Sequence, residues 1–163
     1  MTKTLLVVFH SMTGGTRQMA RAAARAAEGE GVAVRLLEAR EATADDVLAA
    51  DAYIFATPEN LAAIAGMMKD FFDRTYYAAL GRVEGRAYGV MVCAGSDGTN
   101  AVRQVARIAT GWRLRAVAEP LIICTHAQTP EAILAAKTIP PEDVARCEVL
   151  GATLAAGLAI GMF

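Results

Sequence analysis

A chain of 163 residues, 55% hydrophobic and 20% charged, is long enough for one domain with a full core and too apolar to be disordered. Its formal net charge of -1 removes any general electrostatic case for nucleic acid or an anionic membrane. Three cysteines without CxxC spacing, and two histidines without HxxH or HExxH spacing, argue against a metal site and fit buried thiols in a reducing, cytoplasmic setting.

In chain order, Thr4 to Phe9 is an apolar run and the first predicted strand. No secretory leader is expected here, because the run after Lys3 is short and β-branched. Ser11, Thr13, Gly14, Gly15 and Thr16 follow almost at once, and a helix is predicted over Thr16 to Glu28. Arg17, Arg21 and Arg25 form its solvated stripe, and Gly29 and Gly31 end it. Val32 to Leu37 is a second strand. Thr43 opens a short helix with Asp45 and Asp46 in its first turn. Ala52 to Ala56 is a third strand, ended by Thr57-Pro58. A longer helix starts near Asn60, with Met67, Met68, Phe71, Phe72 and Thr75 as its buried stripe. Ala87 to Cys93 is a fourth strand, Gly95-Ser96-Asp97-Gly98 a turn, and a helix continues to about Thr110. Ala116 to Cys124 is a fifth strand, in which Glu119-Pro120 argues for an edge position or a bulge. His126 to Ile139 is a loop with one helical turn at Pro130 to Ala135. Pro140-Pro141-Glu142-Asp143 opens a last helix. The apolar tail from Leu154 to Phe163 is too short for a bilayer span and is expected as that helix's buried end.

Strict alternation of strands and helices implies one domain over residues 1–163, with a parallel sheet covered on both faces. The continuous Val, Ile and Leu runs suit strands buried on both sides. In such a sheet ligands bind beyond the carboxyl ends of the strands, at the switch in strand order. The loops there are His10 to Thr16, Thr57 to Leu61 and Ala94 to Asn100, and all are rich in small, hydroxyl or amide residues.

The first is a strand, a tight hydroxyl-rich loop and a helix N-terminus, an arrangement that suits an anion. It holds no lysine, which fits a phosphate monoester better than a triphosphate with its metal. A plain helix cap has the same composition. There is no GxxxxGK[ST] and no GxGxxG in this loop. Ser96 and His126 lack the order and spacing of an α/β-hydrolase. A phosphoacceptor domain would need paired acids where His10-Ser11 stand and an Asp where Thr57-Pro58 stand.

Three stretches in order resemble the flavodoxins and the flavodoxin-like NAD(P)H:quinone or FMN reductases. Phe9-His10-Ser11-Met12-Thr13-Gly14-Gly15-Thr16 is similar to their phosphate loop. Ala56-Thr57-Pro58 through Lys69-Asp70-Phe71-Phe72-Asp73-Arg74 is similar to the flavin-facing loop and the Lys-x-Phe-x-Asp-Arg helix after it, and Cys93 to Gly98 stands at their third flavin loop. The resemblance covers nearly the whole chain. It implies a three-layer sandwich with a five-stranded parallel sheet in order 2-1-3-4-5. It implies that Ser11, Thr13, Gly14, Gly15 and Thr16 hold the phosphate of FMN. Thr57, Pro58, Glu59, Asn60 and Leu61 would flank the ring, and Ala94, Gly95, Ser96, Asp97 and Gly98 would close its other side.

Gly15 departs from the family's usual Asn, and Glu59 stands where many relatives have a neutral residue. A carboxylate beside the ring would lower its potential. The aromatic pair of the electron carriers is not evident. The expectation is therefore an FMN-dependent oxidoreductase, with NAD(P)H as hydride donor and a quinone, flavin or similar small acceptor. The alternatives are a flavodoxin-type carrier docking a redox partner and a flavodoxin-like domain without catalytic activity. His126 and Glu59 are the candidates to protonate or orient a substrate, with a loop histidine and a solvated glutamate as the plainer readings. Tyr76 and Tyr77 are candidates for a homo-oligomer surface, or for capping the core.

Overall fold

The computed structural model describes residues 1–163. In chain order it contains β1 (Thr4–Phe9), α1 (Gly15–Glu28), β2 (Ala33–Glu38), α2 (Ala44–Ala49), β3 (Ala52–Asn60), β4 (Ala63–Ile64) and α3 (Gly66–Ala79). It continues with β5 (Ala87–Ala94), α4 (Thr99–Gly111), β6 (Arg115–Ala116), β7 (Leu121–Cys124), α5 (Pro130–Leu134) and α6 (Pro141–Ala159). The sheet order is β2-β1-β3-β5-β6, with β7 also on β5 and β4 on β3. All pairings are parallel except β3–β4.

The fifth strand of the sequence is thus two short pieces on one edge, β6 and β7, both paired to β5. The break between them contains Pro120, which has no N–H for the ladder. Counting β6 and β7 as one strand gives the expected order 2-1-3-4-5.

Alternate residues of each central strand feed two cores. In β3, Ala52, Ile54 and Ala56 face α1 and α6, while Tyr53 and Phe55 face α2, α3 and α4. The second core is aromatic. Phe55 lies 5.1 Å from Phe72, and Phe72 lies 5.8 Å from the fully buried Trp112. The first is built from small residues. Ala20, Ala23, Ala24 and Ala27 of α1 let α6 approach closely at Gly151, where a Cβ would fall 2.0 Å from the Ala23 carbonyl oxygen.

Three expectations change. β3 runs on through Thr57-Pro58 to Asn60 and returns as β4, so the third helix starts at Gly66. Pro58 is tolerated because it occupies the last rung of the β3–β5 ladder. Met68, Phe71, Phe72 and Thr75 are buried as expected, but Met67 is 36% exposed. The C-terminal tail is buried only to Leu158. Ile160 and Met162 are exposed, and Phe163 folds back against Gly157.

The Lys69 to Arg74 signature is structural in this chain. Lys69 pairs with Asp73 and Arg74 with Asp70, each one turn apart. Arg74 also donates to the carbonyls of Ala39 and Ala42, tying α3 to the β2–α2 connection. Tyr76 stacks on Trp112 at 5.8 Å, while Tyr77 is 82% exposed. No helix is long and apolar enough to cross a membrane.

Candidate functional site

A cavity of about 550 Å³ opens beyond the carboxyl ends of β1, β3 and β5. The turn from β1 into α1 forms one wall through Ser11, Met12, Thr13, Gly15 and Thr16. Ser11 Oγ accepts from the Gly14 amide at 3.1 Å, and Gly14 turns the chain with φ +94°. The amides of Met12, Thr13, Gly15 and Thr16 have no acceptor within the chain. Backbone donors almost always find partners. A row of free ones at the start of a 14-residue helix is an anion cradle.

Gly15 has a steric reason to be glycine. A Cβ there would fall 2.8 Å from Cys93 Sγ, and 3.5–3.6 Å from Lys137 and Ile139. The usual Asn has no room, because Cys93 of β5 fills it. Gly15→Ala should therefore cost about 1 kcal/mol or more by overpacking. Cys93→Ala should recover most of that loss. Urea unfolding of both single variants and the double variant checks this. Strictly additive effects would contradict the contact.

The second wall is the β3–β4 hairpin, which presents Pro58, Glu59, Asn60 and Leu61. Thr57 is buried behind it and does not reach the cavity. Its Oγ1 accepts from the Ala65 amide at 3.2 Å and donates to the Pro58 carbonyl. The two-residue turn Leu61-Ala62 has φ of +52° and +60°, the left-handed pair that closes a twisted hairpin. Neither residue is glycine or asparagine, so the turn is strained by about 1–3 kcal/mol per residue. α4 holds it in place: Asn100 Nδ2 donates to the Ala62 carbonyl, and Gln104 Oε1 accepts from the Ile64 amide at 2.8 Å.

Glu59 reciprocates. Its carboxylate accepts from the Gly98 amide at 2.9 Å and from the Ala101 amide at 3.3 Å. It caps α4, whose own N-cap residue, Gly98, has no side chain to do so. Its charge is thus directed at a helix N-terminus.

The third wall is Ala94, Gly95 and Ser96, while the exposed Asp97 and the buried Gly98 do not line the cavity. Asp97 accepts from the Thr99 hydroxyl and amide, which hold its carboxyl below the usual carboxylate range. His126 donates its amide to the Gly95 carbonyl at 2.8 Å, with φ +59°. It is exposed, and it is Ala127 and Gln128 that line the cavity.

A fourth wall escaped the sequence reading. The segment from Thr125 to Ile139 straps across the mouth and contributes Thr125, Ile133 and Lys137. The Lys137 amide donates to the Thr13 carbonyl at 2.9 Å. Its Nζ donates to Thr13 Oγ1 at 3.3 Å, and to the carbonyls of Ile133 and Ala135. Gln18 locks the strap by donating to the Lys137 and Gly14 carbonyls and accepting from the Ile139 amide. The turn that lacks a lysine in sequence therefore receives one from 124 residues away. The only available signal was that Lys137 is one of three lysines in the chain, with Lys3 and Lys69.

No aromatic side chain lines the cavity. The one thiol that does, Cys93, is pushed up to about 11 by burial, against the pull of the Lys137 ammonium. Burial likewise pushes Cys147 up to about 12. Both remain protonated and slow at pH 8. The half-buried Cys124 should be alkylated first in a brief iodoacetamide pulse read by peptide mapping. First labelling at Cys93 would contradict this.

The fold and the placement of the cavity define a flavodoxin-like protein. The chain superposes on an archaeal flavodoxin with a TM-score of 0.77, at 20% identity over 93% of this chain and 96% of that one. A flavodoxin of Streptococcus pneumonia TIGR4 gives 0.73, at 25% identity over 94% and 98%. The Flv1 flavodiiron core of Synechocystis gives 0.79 at 17% identity, over 98% of this chain and 37% of that one. A protein of Aquifex aeolicus described as a flavodoxin is 39% identical over 94 residues, 57% of this chain and 49% of the relative. The matched segment thus spans about half of that relative's length. Residues 38–128 match the family of NADPH-dependent FMN reductases, and the chain belongs to that family.

Proposed function

We propose that the cavity holds FMN and that the chain is a reductase passing electrons from NADPH to a small acceptor. The observation that carries this reading is the set of free amides at Met12, Thr13, Gly15 and Thr16 with the Lys137 ammonium beside it. Together they offer a phosphate four backbone donors and one neighbouring positive charge. The cavity also has a volume usual for small-molecule sites, within about 300–1,000 Å³. FMN, when bound, supplies the hydride and electron chemistry.

The chain's residues would bind, orient and shield it. The β1–α1 amides and Lys137 would hold the phosphate. The β3–β4 hairpin and Gly95-Ser96 would face the ring from two sides, and Ile133 of the strap would keep water from its edge. Glu59 is committed to α4, and His126 lies off the cavity lining. Neither is assigned a proton transfer.

A second reading, an electron carrier, is favoured by the exposed apolar rim of Met12, Leu61 and Ile133, with Leu61 fully exposed. It also suits the Aquifex aeolicus relative described as a flavodoxin. Absorption of the purified protein after FMN is added and excess removed is the first test. Bands near ~450 and ~375 nm, which the flavin itself carries, support the cofactor, and a colourless protein refutes both readings. Steady-state NADPH oxidation with a quinone then supports the reductase. A yellow protein that oxidises no NADPH supports the carrier.

A further inference from the structure

A second cavity, of about 590 Å³, lies on the other side of the β3–β4 hairpin, between α4 and the start of α3. Its floor is apolar, with Ile64 and Ile108. Its rim carries Lys69, Arg103 and Arg107, and no acidic side chain lines it. Arg103 and Arg107 stand one turn apart on α4, exposed, and no carboxylate lies within 4.0 Å of either. Neither donates a hydrogen bond within the chain, whereas Arg74 and Arg86 are spent on backbone carbonyls. Lys69 answers Asp73 on its own helix. Two unpartnered guanidinium groups over an apolar floor suit a planar ring that carries a phosphate monoester, with the forks taking the phosphate oxygens in pairs.

The hairpin joins the two cavities. Glu59, Asn60 and Leu61 line the first, and Ala63 and Ile64 line the second. Paired strands lie only about 4.8 Å apart, so an extended ligand can cross the hairpin from one cavity to the other. Resting on the reductase reading above, we infer that the second cavity binds the adenosine 2′-phosphate end of NADPH. Arg103 and Arg107 then select NADPH over NADH, while the nicotinamide end reaches the first cavity.

The test compares the FMN-loaded wild type with an Arg103→Ala, Arg107→Ala double variant. Both side chains are exposed, so the fold and FMN content should not change. Loss of hydrogen bonds to a charged phosphate predicts a fall of about tenfold or more in kcat/KM for NADPH, with NADH unchanged. Calorimetry with adenosine 2′,5′-bisphosphate should show binding to the wild type, weaker binding to the variant, and no such difference with 5′-AMP. Equal losses for both nicotinamides, or no binding of the bisphosphate, would overturn the inference. Wild-type protein that binds the bisphosphate through these arginines yet oxidises no NADPH would keep the nucleotide site and overturn the reductase reading instead.

Discussion

Lys137→Met should weaken FMN binding by roughly 10- to 100-fold and leave riboflavin binding almost unchanged. To reach the phosphate, Lys137 Nζ would turn one of the protons it gives to Thr13, Ile133 and Ala135, and a hydrogen bond to a charged group contributes about 1.5–3 kcal/mol, which sets that range. Lys137 is half-buried with its ammonium 3.3 Å from Thr13 Oγ1, at the turn whose amides lack acceptors. Riboflavin lacks the phosphate, so it reports on the strap and the ring walls alone. Fluorescence titration of both ligands separates the effects. A parallel loss for FMN and riboflavin would mean that Lys137 acts only by fastening the strap through Ile133 and Ala135. Raised salt should weaken FMN binding to the wild type more than to the variant, because the contact is ionic.

Gly151→Ala should lower stability by about 1–3 kcal/mol, a fall of several degrees in Tm for a chain of this size. Glycine inside a helix normally costs about 1 kcal/mol relative to alanine, so propensity alone predicts the opposite sign. At Gly151 the added Cβ would meet Ala23 oxygen, carbon and Cα at 2.0 to 2.7 Å. These are backbone atoms, and α1 must move as a body to clear them. Gly66→Ala is the control, because nothing lies within 4 Å of a Cβ there. It should be neutral or stabilising. Thermal unfolding of both variants decides, and a stabilised Gly151→Ala would refute the close helix contact.

Much of the architecture was legible because it is periodic and local. The apolar runs from Thr4 to Phe9 and from Ala87 to Cys93 mark central strands, and Thr43 with Asp45 and Asp46 marks the start of α2. The β3–β4 hairpin was not legible, since its turn is Leu61-Ala62 rather than Asn-Gly and a proline precedes it. Tertiary ties from Asn100 and Gln104 hold a conformation that local sequence does not favour. The site divides in the same way. The residues of the β1–α1 turn and of the Gly95 loop could be found from their position after strands. Thr57, by contrast, turns inward, and Glu59 spends its carboxylate on a helix that starts 40 residues later. Lys137 reaches its site across 124 residues. Pattern reading reports which residues neighbour one another along an element, and such long-range hydrogen bonds carry no period.

The strap also sets an order of events during synthesis. Thr13 is made 124 residues before Lys137, and Gln18 is likewise made long before the Lys137 and Ile139 backbone that it anchors. Chains grow at about 5–20 residues per second, so for about 6–25 s after Thr13 is made the turn has no lysine beside it. Until then the amides of Met12, Thr13, Gly15 and Thr16 stand without the ammonium that later lies 3.3 Å from Thr13 Oγ1.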